Sequence, residues 1–271
     1  MFENPENKVE QVNFPKALEK AEKVICDYQI NPQDFDDLYD REQISSDLEY
    51  VKERKLKWAN QSFETHDDVN KKLATIFEAI IFTEGESSEW FGSNVSLIKT
   101  SEYDDIKNGV DAVAEYDLED SVSRVAMAID VTFNHDVQKK ISKIKENIIN
   151  GKLTKVKYFE SELDDMRGEI KNIPHIIVGA DVDTVRELVN EWSENHSEVL
   201  GNHGVQFQFL EESIMQCKYF SEYAKEKKQE KIAQKYDSIR KVLENQLKNK
   251  KIKDSGTRDS FMKDFQKHLD L

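Results

Sequence analysis

Three short apolar segments, enclosed between helical segments, constrain the fold of this chain most. They are VSLIKTS from Val95, GVDAVAEY from Gly109 and VAMAIDVTF from Val125. Turn-forming residues separate them, namely Asp104-Asp105 with Asn108-Gly109 before the second segment and LEDSVS before the third. Short β-rich runs bounded by such residues are typical of strands joined by turns. The pattern therefore predicts a meander of three strands.

Helical patterns flank the meander. THDD at 65–68 offers helix-capping residues, and the helix that it opens is apolar almost all round as far as Gly85, which predicts burial. HDVQKKISKIKENIIN predicts a helix after the third strand, TKVKYFES and PHIIVGAD predict two more strands, and DVDTVRELVNEWSENH predicts a further helix. The order over residues 66–195 is α-β-β-β-α-β-β-α, so we expect the α/β class.

The two ends of the chain are predicted to be helical additions. Residues 14 to about 60 show helical periodicity with a break at Asn31-Pro32, and the segment from Gly204 onward predicts one long helix or a helix pair. We therefore divide the chain into an N-terminal extension (1–65), the α/β core (66–195) and C-terminal helices with a basic tail (196–271). The apolar positions Ile214, Cys217, Phe220 and Tyr223 are expected to pack on the core or on a second copy in a homodimer.

Composition limits the class of protein. The formal net charge of −15 over 271 residues disfavours tight, non-specific DNA binding unless a local basic face or a partner subunit supplies it. No apolar run approaches the roughly 20 residues that a membrane helix needs. Since the first residues also lack a secretion signal, we expect a cytoplasmic protein. Cys26 and Cys217 are predicted to be reduced core thiols, and Trp58, Trp90 and Trp192 packing residues.

Three acidic residues are placed so that they can converge. Asp111 lies at the mouth of the second strand, Asp130 on the third, and Glu78 inside the apolar belt of the preceding helix. Carboxylate clusters suit Mg²⁺ or Mn²⁺. Two alternatives stay open: Glu78 on a narrow polar edge of its helix, and both aspartates at strand ends facing water. Asp104 and Asp105, in the loop before Asp111, are either second metal ligands or turn formers.

The order of elements and acids resembles the PD-(D/E)xK superfamily of restriction-endonuclease-like nucleases. The resemblance covers roughly residues 66–180 and implies a core of α-β-β-β-α-β order around a mixed sheet. It implies that Glu78 is the helix glutamate, that Asp111 is the first strand aspartate, and that Asp130-Val131-Thr132 is the (D/E)xK element. The implied activity is Mg²⁺-dependent hydrolysis of phosphodiesters in DNA, with Glu78, Asp111 and Asp130 holding the metal.

One departure from the family pattern concerns the motif lysine, which falls on Thr132. A lysine at this point would help to activate water and stabilise charge on the phosphate, whereas threonine only forms hydrogen bonds. Lys155 or Lys157 on the next predicted strand, or Lys139 or Lys140 on the helix before it, are candidate replacements. The metal alone is another possibility. The remaining alternative is a catalytically inactive module that serves as a scaffold for protein or nucleic acid.

Overall fold

The three apolar segments form the first three strands of a mixed sheet in the computed structural model, which describes residues 14–61, 65–117, 125–133 and 137–269. The strands are β1 (Val95–Lys99), β2 (Ala112–Tyr116), β3 (Val125–Phe133), β4 (Thr154–Glu160), β5 (Arg167–Ile173) and β6 (His175–Ala180). Strands β1, β2 and β3 are the expected antiparallel meander, and β6 completes the sheet parallel to β3. The α/β class predicted from the sequence is confirmed.

Helices before, between and after the strands complete the described structure. They are α1 (Phe14–Tyr28), α2 (Arg41–Gln61), α3 (Thr65–Ser87), α4 (Glu102–Asn108), α5 (Val137–Ile149), α6 (Val182–Ser193), α7 (Ser197–Gly201), α8 (Val205–Glu226), α9 (Glu230–Lys248) and α10 (Ser260–His268), with a short 3₁₀ helix at Pro32–Phe35. The predicted break at Asn31-Pro32 begins that 3₁₀ helix, where the Asn31 side chain accepts a hydrogen bond from the Gln33 amide at 3.1 Å.

The four-stranded sheet is covered on both faces. One face carries Ala114, Met127 and Ile129 into a large hydrophobic cluster that includes residues of α1, α3, α8, α9 and α10. The other face carries Val113 and Ala128 against the β4–β5 hairpin. Helix α1 near the start of the chain and helices α8, α9 and α10 near its end therefore bury apolar side chains in the same cluster as the sheet. Within α8, Cys217 and Phe220 lie in this cluster, and Ile214 and Tyr223 pack against it.

Four expectations need correction. Residues 102–108, expected as a loop, form α4, and β5 lies in a segment for which we predicted no element. Cys26 is exposed, since its helix buries Ala17 and Ala21 instead, whereas Cys217 is buried as expected. Trp58 is 44% exposed, because α2 extends beyond the helices that pack on it, while Trp90 and Trp192 are buried. No described helix is long and apolar enough to cross a membrane.

The outer edge of β6 is satisfied by side chains of α8. Gln216 accepts a hydrogen bond from the Ile177 amide at 2.8 Å and donates to the Ile177 carbonyl at 2.6 Å. Glu212 accepts from the Gly179 amide, and Gln208 donates to the Gly179 carbonyl, both at 3.3 Å. Because an unpaired strand edge exposes backbone groups that need partners, Gln208, Glu212 and Gln216 close the sheet in place of a fifth strand, and we call these three residues the edge row.

The register of β2 and β3 positions two of the predicted acids. Ala112 pairs with Ile129, and the Asp111 amide donates to the Ile129 carbonyl at 2.9 Å. Continuing this antiparallel register by one residue sets Asp111 opposite Asp130. Directly opposed residues of an antiparallel pair share a face of the sheet. The two carboxylates therefore emerge on the same face.

Candidate metal centre

A cavity of about 310 Å³ lies where α3, α4 and α5 meet the paired ends of β2 and β3. Its polar lining consists of Glu78, Asp105, Asp111, Asp130, Thr132 and Lys140. Four residues predicted from the sequence, Glu78, Asp111, Asp130 and Thr132, are thus brought to one place. Two further members, Asp105 and Lys140, were open alternatives in the sequence.

Three carboxylates form the tightest group in this cavity. Glu78, Asp105 and Asp111 each offer one oxygen, and these three atoms lie within 4.8 Å of one another. Glu78 comes from the buried helix α3, Asp105 from α4 and Asp111 from the residue before β2. Asp105 takes the place that the sequence analysis gave to Asp130 in the three-acid group, because α4 turns it toward the cavity.

The two aspartates of α4 have different partners. Ser101 caps the helix by accepting from the Asp104 amide at 3.1 Å, and Gly109 ends it in the left-handed conformation at φ 71°. Asp104 points away from the cavity and accepts from the backbone amides of Lys157 at 2.7 Å and Tyr158 at 3.0 Å. Asp104 therefore fastens α4 to β4, and Asp105 is the residue left to face the cavity.

Backbone and lysine contacts hold the other two aspartates. Asp111 Oδ2 accepts a hydrogen bond from the Val131 amide at 2.6 Å, which ties its carboxylate to β3. Asp130 Oδ1 lies 2.5 Å from Lys140 Nζ, and the same ammonium lies 3.4 Å from the Val131 carbonyl. Lys140 is on α5, one of the helix positions that the sequence offered for the missing motif lysine.

Lys99 is a second cation of the site that the sequence analysis did not identify. It ends β1 with a side chain only 1% exposed, and its Nζ lies 2.7 Å from Glu78 Oε1. The ammonium also donates to the Asp111 carbonyl oxygen at 3.0 Å. A buried lysine needs a partner. A lysine directly after the apolar residues Leu97 and Ile98 was therefore the available signal for an acidic neighbour.

Burial and mutual repulsion raise the proton affinity of these carboxylates. Burial and the charge of Asp111 raise the pKa of Glu78 and raise that of Asp105 well above its usual range, although Lys99 acts in the opposite direction. Burial also raises the pKa of Asp130 to about 7 against the effect of Lys140. For Lys99, burial alone would lower the pKa, but the surrounding carboxylates offset it and the pKa is raised. The cavity thus favours added positive charge.

Lys155 and Lys157 do not reach this cavity. Strand β4 pairs with β5 in a separate two-stranded sheet, so its side chains meet other partners. Lys155 Nζ lies 2.7 Å from Glu169 Oε1. Lys157 pairs with Asp47, and its ammonium lies 4.8 Å from the centre of the Tyr39 ring. The cations at the site are therefore Lys140 and Lys99 rather than either predicted strand lysine.

The donor set fits a hard divalent cation. Carboxylate oxygens are the ligands that Mg²⁺ and Mn²⁺ prefer. Among the described residues that line the cavity there is no thiol or imidazole, the ligands typical of zinc sites. Four carboxylates, from Glu78 and the three aspartates, face two ammonium groups, so the ionised cavity keeps an excess of negative charge.

Comparisons of the chain with protein-family models, curated proteins and solved structures found no match.

Proposed function

We propose that this protein is a metal-dependent nuclease-like protein with a restriction-endonuclease-like core, and that it hydrolyses phosphodiesters of DNA. The observation that carries the proposal is the approach of the Glu78, Asp105 and Asp111 carboxylates to within 4.8 Å in a cavity that also holds Lys140. An acidic metal site beside a lysine provides the charges that phosphodiester hydrolysis requires.

The topology supports the proposed core. Helix α3, the meander β1–β2–β3, helix α5 and the parallel strand β6 follow in the order that the resemblance implies. The β4–β5 hairpin is then an insertion between α5 and β6. Asp111 lies just before β2 and opposite Asp130 within β3, where this order of elements leads the two acids.

Each residue of the cavity has a proposed role. Glu78, Asp105 and Asp111 would hold Mg²⁺ or Mn²⁺, and Asp130 is the further metal ligand predicted from the sequence. A bound ion supplies Lewis acidity and lowers the pKa of water. Lys140, oriented by Asp130 and the Val131 carbonyl, offers positive charge to a phosphate oxygen. Thr132 offers a hydroxyl that can orient a water molecule.

Cleavage of DNA with and without divalent metal tests this function. We expect Mn²⁺ or Mg²⁺ to support degradation of plasmid or single-stranded DNA, and Asp105→Asn to lower the rate by more than about 100-fold, beyond the loss expected for an outer-shell partner. Asp183→Asn, at an exposed aspartate of α6, is the matched control. Cleavage that Asp105→Asn retains at the level of the control would overturn the assignment.

A second function is favoured by Lys99. Its buried ammonium already neutralises Glu78, and Thr132 stands where the family carries a lysine, so the same fold fits a catalytically inactive binding module. This alternative predicts a folded wild-type protein that neither metal makes active. Metal-dependent cleavage by the wild type, lost in Asp105→Asn, excludes it.

A further inference from the structure

The second half of α2 exposes its side chains to solvent. The first half packs through buried Ile44 and Val51, but every residue from Lys55 to Asn60 is exposed. The exposed fraction reaches 55% for Leu56 and 44% for Trp58. Large apolar side chains on an exposed helix end mark a surface available for contact with a partner.

This segment is basic in a strongly acidic chain. Between Lys52 and Gln61 the only acid is Glu53, while the cations are Lys52, Arg54, Lys55 and Lys57. The chain as a whole carries a formal charge of −15. A local excess of cations in such a chain is complementary to a polyanion. Phosphate groups along a nucleic-acid strand provide that charge at regular intervals.

Aromatic rings alternate with cations along the same face of α2. Tyr50, Arg54 and Trp58 follow at intervals of four residues, which places them in one row. The Arg54 guanidinium lies 6.0 Å from the centre of the Tyr50 ring and 5.7 Å from that of Trp58. From α4, Lys107 Nζ lies 4.6 Å from the Tyr50 ring. Cations combined with aromatic side chains are typical of surfaces that bind single-stranded nucleic acid.

A groove joins this face to the acidic cavity. The groove has a volume of about 750 Å³, and Lys55, Glu102 and Tyr103 are among its lining residues. It also includes Glu78 and Asp105, which line the acidic cavity. Lys55 forms an ion pair with Glu102 of α4, the helix that presents Asp105. Lys55 is therefore the residue through which the exposed half of α2 meets the groove that reaches the candidate metal centre.

We propose that the exposed half of α2, with Tyr50, Arg54, Lys57 and Trp58 on one face and Lys55 at the border of that face, binds a nucleic-acid strand and leads it to the acidic cavity. This inference rests on the proposed function, since it assigns the surface by which a nuclease-like protein of net negative charge holds its substrate. It also accounts for nucleic-acid contact by a chain whose overall charge disfavours it.

Binding measured without metal tests this surface separately from catalysis. The probes are fluorescein-labelled oligothymidylate and a duplex of equal length, followed by fluorescence anisotropy in EDTA. The triple variant Arg54→Gln, Lys55→Gln, Lys57→Gln keeps good helix formers but removes three charges. Its matched control carries Lys231→Gln, Lys235→Gln and Lys241→Gln, three exposed positions of α9.

We expect the α2 triple variant to bind oligothymidylate at least about tenfold more weakly than the control. The slope of log affinity against log salt concentration should fall in magnitude by about 2, as three lost phosphate contacts predict for a single strand. Equal affinity of the two triple variants would overturn the proposal. Binding of neither probe by the wild type would also overturn it and would leave an acidic protein surface as the partner to test.

Trp58 gives a second readout at the same surface. Trp90 is fully buried and Trp192 is 2% exposed, so the exposed indole of this chain is that of Trp58. Oligothymidylate should therefore quench the tryptophan emission of the wild type and not that of Trp58→Phe. Quenching that persists in Trp58→Phe contradicts contact at α2. Normal binding by a wild type that never cleaves DNA would reject the proposed nuclease function and retain the α2 surface.

Discussion

Two buried polar clusters contact the same sheet, and they are built in opposite ways. At the outer edge of β6, Gln208, Glu212 and Gln216 of α8 match amides and carbonyls of the strand. In the cavity at the ends of β2 and β3, carboxylates face one another, and Lys99 and Lys140 neutralise them only in part. The first cluster provides hydrogen-bond partners for backbone groups of β6, whereas the second brings negatively charged side chains close together.

This difference separates a structural role from a ligand-binding role. The edge row replaces a neighbouring strand, so removing a member leaves backbone groups buried without partners. The cavity opposes folding, because burial and repulsion raise the pKa values of Glu78, Asp105 and Asp130. Mutations in the edge row should therefore destabilise the folded protein. Removal of a carboxylate from the cavity should stabilise it, because repulsion between the remaining acids is smaller. A divalent cation should raise the free energy of unfolding by binding at the cavity and not at the edge row.

The largest expected effect follows from Gln216→Ala, which breaks the edge row. It removes both hydrogen bonds to Ile177 and leaves a buried amide and a buried carbonyl unpaired. At about 1–3 kcal/mol for each group, we expect a loss of about 4 kcal/mol in the free energy of unfolding. Urea denaturation followed by circular dichroism measures it. The control is Gln234→Ala at an exposed position of α9, and a similar small loss in both variants would contradict the structural role of the row.

Much of the fold follows from the sequence because its signals are local. The apolar runs that became β1, β2 and β3 lie between turn residues, and α3 is apolar on nearly every side. Glu78 could be identified because an acid inside such a helix needs a partner. Asp111 and Asp130 could be paired because a meander places neighbouring strands side by side, with Asp111 at the start of one strand and Asp130 within the next.

The remaining parts depend on contacts that are distant in sequence. Asp105 lies on a seven-residue helix, too short for a periodic pattern, whose sequence resembles a turn. Lys155 and Lys157 were chosen because β4 was expected beside the site, but its alternating pattern does not reveal which strand it pairs with. The edge row shows polar residues at intervals of four, a spacing that ordinarily marks a solvent-facing stripe. Only the position of β6 shows that this stripe is buried.

Asp105→Asn tests whether the acids of the cavity oppose folding and bind a metal ion. Removing one of three crowded carboxylates should raise the free energy of unfolding without metal at neutral pH, because burial and the charge of Asp111 raise the pKa of Asp105. Mn²⁺ at about 100 times its Kd should stabilise the wild type by about 2.7 kcal/mol. We expect Asp105→Asn to lose this gain, as measured by thermal unfolding with and without Mn²⁺.

Asp183→Asn serves as the control for that experiment, because its carboxylate is largely exposed on α6. It should leave the Mn²⁺ shift unchanged and lower the stability without metal only slightly, since Asp183 lies in the first turn of α6. An undiminished Mn²⁺ shift in Asp105→Asn would show that the ion binds elsewhere. A destabilised Asp105→Asn without metal would show that the cavity is built like the edge row, with its acids needed by the fold.

The smallest effect concerns Glu212, the one acid within the edge row. Its Oε2 accepts from the Gly179 amide, its Oε1 has no partner among the described residues, and burial raises its pKa well above the usual range. Since the folded protein holds this proton more tightly than the unfolded chain, stability should fall as pH rises above about 4.3, the ordinary glutamate value. Glu212→Gln cannot ionise, so at pH 8 it should be more stable than the wild type, with little difference near pH 5. Urea unfolding at both pH values measures this, with Glu222→Gln, exposed on the same helix, as control.

A pH-independent difference between Glu212→Gln and the wild type would mean that Glu212 is ionised in the folded protein. The edge row would then carry a buried negative charge, as the cavity does.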